Sequence, residues 1–196
     1  MSSGPVRSKG DVSLAVPTAA GMRALGRSLA TLLRAGDLVI LTGGLGAGKT
    51  TLTQGIGEGL GVRGPVTSPT FVIARVHPPL APASGPAGAP AGPAARGPAL
   101  VHADAYRLGS ALELDDLDLD ADTGSSVTVV EWGEGLAEGL AADRLEITII
   151  PGVTGPDAGD ESDDNPRDLP RTVLISAVGT RWEGVELPLA VPADRL

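Results

Sequence analysis

A glycine-rich segment in the first third of the chain constrains the fold more than any other feature. Residues 43–50 read Gly-Gly-Leu-Gly-Ala-Gly-Lys-Thr, which fits the phosphate-binding loop pattern G-x-x-x-x-G-K-[ST] at every constrained position. A loop of this kind joins a strand to a helix. Residues 37–42 form a short apolar run with β-branched side chains, and residues 51–56 can continue as a helix. The local context therefore predicts an α/β fold built around a phosphate loop.

The residue types in the phosphate loop (residues 43–50) indicate what it binds. Glycines allow successive backbone N–H groups to turn inward around an anion, and the helix N-terminus adds partial positive charge. Lys49 can reach the outer phosphates of a nucleotide, and the Thr50 hydroxyl can bind Mg²⁺. A glycine-rich turn with an incidental Lys-Thr pair is the alternative, and the flanking strand and helix disfavour it.

Length and charge limit the function classes that remain. The chain has 196 residues, a net charge of −9 and no cysteine, which excludes a disulfide framework and a thiolate zinc site. We predict a flexible N-terminal tail over residues 1–11 and a single P-loop domain over residues 12–196. The absence of a long apolar run predicts a cytoplasmic protein without a membrane segment. The acidic balance argues against direct binding of nucleic acid, so a role in RNA biology would depend on a protein partner.

Two low-complexity segments interrupt the predicted domain. Residues 78–99 consist almost entirely of Pro, Ala and Gly, and residues 151–170 are rich in Gly, Pro and Asp. Such compositions favour solvated loops over packed structure. We therefore expect both segments to be surface insertions between strands.

Hydrophobic patterns place the remaining elements. Residues 12–16 predict a first strand, and Thr18 can cap a helix that runs to about Arg34. Its predicted apolar face consists of Met22, Leu25, Leu29, Leu32 and Leu33. Further strands are predicted over residues 71–76, 100–104, 127–131, 145–150 and 172–175. The mixture of hairpin and crossover connections predicts a mixed sheet flanked by helices.

Two of these strands end in a carboxylate, which is what a phosphate-loop nucleotidase needs to hold Mg²⁺. Asp104 closes residues 100–104, and Glu131 closes residues 127–131. Ligands in open α/β sheets collect at the carboxyl ends of the strands, so we expect both acids to lie at the site. Side-chain alternation also predicts that His102, Asp104 and Tyr106 share one face.

The segment before the predicted strand 71–76 has the position of a switch loop. Its Thr-Ser-Pro-Thr run at residues 67–70 leaves hydroxyls free to approach a γ-phosphate or its metal, and an ordinary turn is the alternative.

The four large aromatic residues give a further indication. Phe71 is predicted to pack in the core, whereas Tyr106 and Trp132 adjoin the two carboxylates and are expected near the site. Trp182 is predicted to be a packing residue or a partner contact.

Four motifs in order give the chain a specific resemblance. They are GAGKTTL at 46–52, SPTF at 68–71, HADAYRL at 102–108 and VEW at 130–132. In this order they resemble the TsaE (YjeE) family, bacterial ATPases required for threonylcarbamoyladenosine modification of tRNA. The resemblance covers about residues 12–150. It implies a three-layer α/β fold, Mg²⁺-dependent ATP hydrolysis, and assembly with TsaD and TsaB type proteins through which tRNA is reached only indirectly.

The resemblance also implies residue roles. Thr50 and Glu131 would hold Mg²⁺, with Asp104 as a further ligand or a water-positioning residue. Lys49, Thr70, Asp104 and Glu131 would be the catalytic residues. The implied nucleotide-binding residues are Gly46, Ala47, Gly48, Lys49, Thr50, Thr51 and Trp132. One departure is Gly44, where many members of the family carry Asp.

Two other functions share the phosphate loop. A small-molecule kinase would need several lid arginines, and the insertion at 78–99 contains only Arg96. A nucleotide-gated assembly factor with little turnover would use the same carboxylates and switch loop, so the sequence leaves it open.

Overall fold

The computed structural model describes residues 11–80, 97–115, 124–152 and 170–191. The predictions for the N-terminal tail and for most of both insertions lie outside these residues. The strands are β1 (Val12–Val16), β2 (Leu38–Thr42), β3 (Ala74–His77), β4 (Ala99–Asp104), β5 (Ser126–Glu131), β6 (Arg144–Pro151) and β7 (Arg171–Val178). The α-helices are α1 (Ala19–Ala30), α2 (Lys49–Leu60) and α3 (Ala111–Asp115), and a 3-10 turn spans Thr180–Trp182.

The strands form a single mixed sheet in the order β1-β7-β6-β2-β5-β4-β3. Strand β2 lies at the centre and pairs in parallel with β5 and β6, while β4 pairs in parallel with β5. The pairs β1–β7, β6–β7 and β3–β4 are antiparallel. The predicted mixed sheet flanked by helices is confirmed, and the carboxyl ends of β2, β4, β5 and β6 meet at one edge of the sheet.

Side-chain alternation along β2 divides the core between the two faces of the sheet. Val39 and Leu41 point into a large cluster with α1 and α2, whereas Leu38 and Ile40 point into a smaller one. The smaller cluster is closed by Leu114 of α3 and by Ala137 from the turns after β5. These two coverings give the fold its three layers.

The helices α1 and α2 pack at very short range because each presents glycine to the other. A Cβ at Gly26 would lie 2.4 Å from the Leu52 carbonyl oxygen, and one at Gly55 would lie 2.2 Å from the Arg23 carbonyl oxygen. Only glycine permits this approach. The close contact fixes α2, and with it the phosphate loop, against α1.

The first helix has the predicted apolar face but ends earlier than predicted. Met22, Leu25 and Leu29 are fully buried, and Thr18 caps the helix by accepting a hydrogen bond from the Gly21 N–H. The helix ends at Ala30 instead of near Arg34. The Thr31 hydroxyl donates to the Ser28 carbonyl, and the Arg34 N–H donates to the Asp37 carboxylate, which turns the chain toward β2.

The prediction of a strand over residues 71–76 is wrong at its start, because β3 begins at Ala74. The N–H groups of Val72 and Ile73 both donate to the Pro69 carbonyl, so residues 69–73 form a turn. This turn carries Phe71 to the surface with 86% of it exposed, so the prediction that Phe71 packs in the core is also wrong. Trp182, by contrast, is buried and packs in the main core.

The described ends of the first insertion belong to the fold. The Pro78 carbonyl accepts from the Arg63 N–H, and the Leu80 N–H donates to the Gly61 carbonyl. At the other end, Ala99 already belongs to β4. The segment without described structure is therefore residues 81–96. No helix among the residues that the structure describes is long and apolar enough to cross a membrane.

Candidate functional site

The phosphate loop lies between β2 and α2 at the carboxyl edge of the sheet. Gly43, Gly46 and Gly48 have φ values of 148°, 75° and 113°, a region that residues with a Cβ rarely adopt. The helix α2 begins at Lys49, directly after this turn. The glycines thus permit a backbone that directs the N-terminus of α2 toward the loop.

Lys49 is held inside the site by three contacts. Its Nζ donates to the carbonyls of Gly43 at 2.8 Å and Gly44 at 3.0 Å, and it lies 3.7 Å from the centroid of the Trp132 ring. The side chain is buried, with 5% of the residue exposed. Burial lowers the pKa of the Lys49 ammonium below its usual value, while the charges of Glu131 and Asp104 act to raise it.

Glu131 joins the phosphate loop to the neighbouring strands. The Thr50 hydroxyl donates to Glu131 Oε1 at 2.8 Å, although 81 positions separate the two residues in sequence. The same oxygen lies 2.8 Å from His102 Nε2. The parallel register of β4 and β5, in which Asp104 pairs with Glu131, brings both acids to the same level of the sheet.

Asp104 anchors the predicted switch segment. Its Oδ2 accepts a 2.5 Å hydrogen bond from the Thr70 hydroxyl, and its Oδ1 accepts from the Tyr106 N–H. The Ser68 and Thr70 hydroxyls lie 2.7 Å apart. Three residues after Thr70, Ile73 has a φ of 67°, which is unusual for a β-branched residue. The segment is thus tied to Asp104 and has a strained backbone at its end.

The two aromatic residues expected near the site are in contact. The rings of Tyr106 and Trp132 lie 5.1 Å apart, and Trp132 covers Lys49 from the side of β5. Trp132 has a φ of 60°, and its backbone N–H donates to the Leu41 carbonyl at the end of β2. A strained backbone here directs the indole over the lysine.

Sequence reasoning missed two arginines that line the site. Arg171 at the start of β7 is buried, and its Nε donates to the Ala47 carbonyl of the phosphate loop at 2.9 Å. Arg23 of α1 donates to Gln54 of α2. Neither residue belongs to a motif, and only the antiparallel placement of β7 beside the loop brings Arg171 there.

A single cleft of about 780 Å³ collects these groups, a size in the usual range for small-molecule sites. It is lined by Ala19, Ala20, Arg23, Leu45, Gly46, Gly48, Lys49, Thr50, Thr51, Gln54, Ser68, Thr70, Asp104, Glu131, Trp132 and Arg171. Every predicted site residue is in this lining except Ala47, which belongs to the loop but is fully buried. Tyr106 is not part of this lining, but it contacts two lining residues, Trp132 through its ring and Asp104 through its backbone N–H.

The cleft has two chemically different ends because of the strand order. Glu131 and Asp104 lie on the β5–β4 side of the phosphate loop, whereas Arg171 and the start of α1 lie on the β7–β1 side. A phosphorylated ligand placed on the loop would therefore have carboxylates at one end and an arginine at the other.

Comparisons with known proteins agree with this architecture. The family model described as "Threonylcarbamoyl adenosine biosynthesis protein TsaE" matches residues 16–154, more than half of the chain. A Streptomyces coelicolor protein named tRNA threonylcarbamoyladenosine biosynthesis protein TsaE is 56% identical over 162 residues, which are 82% of this chain and 93% of that relative. A Bacillus subtilis protein of the same name is 35% identical over 162 residues, 82% of each chain.

A solved structure extends the agreement to the fold. The crystal structure of Bacillus subtilis YdiB superposes with a TM-score of 0.59 at 28% sequence identity, covering 88% of this chain and 89% of that one. The sequence motifs, the sheet around the phosphate loop and the matched relatives lead to one conclusion. The chain belongs to the TsaE family.

Proposed function

We propose that this protein is a Mg²⁺-dependent ATPase that acts in threonylcarbamoyladenosine modification of tRNA, together with TsaD and TsaB type proteins. The observation that carries the ATPase assignment is the hydrogen bond from Thr50 to Glu131 beside Lys49. This bond joins the hydroxyl of a phosphate loop to a strand-end carboxylate, the pair that phosphate-loop nucleotidases use to hold Mg²⁺. The cytoplasm, where tRNA is modified, is the proposed location.

The donor set of the cleft suits Mg²⁺. Mg²⁺ prefers hard oxygen ligands and keeps several waters, so one or two carboxylates with substrate phosphates complete its shell. Thr50 and Glu131 would hold it, with Asp104 close by as a ligand or through a water. The described residues contain no cluster of three or more His, Cys, Asp or Glu for an all-protein cage, which also favours an ion shared with a nucleotide.

The chain's own side chains account for the remaining steps. When ATP occupies the loop, Lys49 exchanges its bonds to the Gly43 and Gly44 carbonyls for bonds to the outer phosphates. Asp104 and Thr70 hold the water that attacks the γ-phosphorus; the new oxygen–phosphorus bond forms as the bond to the β–γ bridging oxygen breaks. A proton of the attacking water passes to an oxygen of the γ-phosphate, and ADP and hydrogen phosphate result. Bound Mg²⁺ supplies neutralisation of the charge on the β- and γ-phosphates.

The arginine end of the cleft supports one orientation of the nucleotide. The acids and Lys49 require the γ-phosphate on the β5–β4 side, so the adenosine lies toward Ala19, Ala20 and Arg171. In this orientation Arg171 cannot supply charge at the γ-phosphate, and Arg23 is paired with Glu58. Because charge stabilisation by an arginine contributes much of the rate in such enzymes, we expect slow hydrolysis by the isolated protein and acceleration in the partner complex.

Turnover measurements test this proposal. The purified chain should hydrolyse ATP slowly, stop in EDTA, and hydrolyse faster when TsaD and TsaB type proteins are added. Full turnover without partners, or turnover unaffected by EDTA, would contradict it. Filter binding at several salt concentrations should show little tRNA binding by the chain alone, because its net charge is −9.

A nucleotide-gated assembly factor remains the second candidate, and one observation favours it. Lys49 is already engaged by the loop carbonyls and by Trp132, so nucleotide binding must rearrange the site before any chemistry. If ATP alone assembles the partner complex and no phosphate is released, this second function is correct. The kinase alternative is weakened, because the described ends of the first insertion lie at the opposite edge of the sheet from the cleft.

A further inference from the structure

One buried side chain contacts the proposed metal carboxylate without lining the cleft. His102 lies in the middle of β4, is fully buried, and places its Nε2 2.8 Å from Glu131 Oε1. That oxygen also accepts the hydrogen bond from Thr50. An ionised carboxylate can only accept hydrogen bonds, so Nε2 carries the proton of the imidazole.

The two donors fix the rotation of the Glu131 carboxylate. Both Thr50 and His102 donate to Oε1, and no hydrogen bond to Oε2 is found within the described ranges. The more weakly held oxygen is therefore Oε2. A carboxylate held on one oxygen by two donors from different elements presents its other oxygen in one direction, as a preorganised ligand requires.

The second ring nitrogen of His102, Nδ1, argues against a role in packing alone. His102 Nδ1 is buried and has no hydrogen-bond partner among the residues that the structure describes. An apolar side chain would fill this position without an unpaired polar atom. Within the described part of the chain, the bond to Glu131 is thus the one polar contact that accounts for an imidazole here.

We infer that His102 is a positioning residue for the Glu131 carboxylate, and that it sets the affinity of the nucleotide site for Mg²⁺ without touching the nucleotide. The inference rests on the proposed function, since it takes Glu131 as a metal ligand. It predicts that the Mg²⁺ affinity depends on a nitrogen donor at the Nε2 position, from an amide or a ring, and does not depend on the remainder of the ring.

Three substitutions separate the donor from the ring. In His102→Gln the amide nitrogen falls about where Nε2 lies, whereas in His102→Asn it reaches only the position of Nδ1. His102→Leu removes every donor. His77→Gln is the matched control, because His77 is another buried strand histidine with no hydrogen-bond partner for Nε2 in the described chain.

Calorimetry gives two readouts for each full-length variant. ATP binding in EDTA reports the folded phosphate loop, and a Mg²⁺ titration of the ATP complex reports the metal site. We expect ATP binding in EDTA within about twofold of the parent for all four variants. The Mg²⁺ affinity should fall about 10–100-fold in His102→Asn and His102→Leu, the usual effect of losing a partner of a metal ligand, and recover to within about threefold in His102→Gln.

The outcomes are distinguishable. Parent protein that binds ATP with no response to Mg²⁺ overturns the proposed function and this inference together. Parent protein with normal Mg²⁺ binding, and unchanged Mg²⁺ affinity in His102→Leu and His102→Asn, overturns the inference alone. Equal losses in His102→Gln and His102→Asn would also overturn it. If His102→Leu does not fold, the comparison of the Gln and Asn variants decides.

Discussion

A methyl group added at Gly55 tests the close packing of α1 and α2. The new Cβ would lie 2.2 Å from the Arg23 carbonyl oxygen, 2.8 Å from its Cα and 2.9 Å from its carbonyl carbon. All three are backbone atoms, so no rotamer change relieves the contact. The helices must separate by about 1 Å to reach the ordinary contact distance of 3.4 Å.

The expected cost follows from two opposing effects. Overpacking of this kind costs about 1–3 kcal/mol, and we take the upper end because backbone must move. Replacing glycine by alanine inside a helix stabilises the helix by about 1 kcal/mol. Gly55→Ala should therefore lower the free energy of unfolding by about 2 kcal/mol, or Tm by roughly 4–8 °C for a chain of this length.

Gly21→Ala provides the matched control in α1. A Cβ there has its nearest atoms at 3.4 Å, an ordinary contact, so only the helix preference remains and the variant should gain about 0.5–1 kcal/mol. Urea unfolding followed by circular dichroism measures the free energy of unfolding of both variants. If Gly55→Ala is as stable as Gly21→Ala, the helices are not packed as closely as described. Because α2 begins at Lys49, we also expect weaker ATP binding in Gly55→Ala alone.

Three further predictions concern single side chains. Lys49→Ala should weaken ATP binding about 10–100-fold, the value of a lost charged hydrogen bond of about 1.5–3 kcal/mol, with little change in urea stability; equal affinity in calorimetry would refute the assignment. Thr50→Ala and Glu131→Ala should reduce Mg²⁺-dependent hydrolysis more than ATP binding in EDTA, and hydrolysis unchanged in both would mean that the metal site is placed wrongly. Burial, aided by the neighbouring His102 and by the charge of Arg75, lowers the pKa of His77 below its usual value of 6.5. The unfolded chain therefore binds a proton first as the pH falls below 6.5, stability declines in that range, and His77→Gln should reduce the decline in urea titrations from pH 7 to 5.

Much of the fold followed from sequence because local and tertiary preferences agree there. The first strand was predicted at residues 12–16 and is found at Val12–Val16, where apolar and exposed positions alternate. Residues 71–73 show the opposite case. Their β-branched and aromatic character favours a strand, but the Pro69 carbonyl captures two N–H groups and forms a turn. Propensity alone does not reveal such a competing acceptor.

The residues of the candidate site also fall into those that the sequence predicts and those that it does not. Thr50, Asp104 and Glu131 could be predicted because motif position and strand ends place them at one edge of the sheet. Arg171 could not, since its place beside Ala47 depends on β7 entering the sheet antiparallel next to β6. His102 was placed on the correct face, but its bond to Glu131 depends on the β4–β5 register, which no local pattern specifies.

The two insertions are attached at opposite edges of the sheet. The first insertion is therefore a practical place to attach a probe. The chain leaves β3 at His77 and re-enters β4 at Ala99, about 17 Å along the strand from Asp104 at roughly 3.3 Å per residue. The second insertion instead joins β6 to β7 beside the cleft, where the Gly152 N–H donates to the Pro170 carbonyl. Since the chain contains no cysteine, Leu80→Cys would create a unique thiol for a fluorophore or a sensor surface at an exposed position of the described chain, with the nucleotide cleft at the far edge of the sheet.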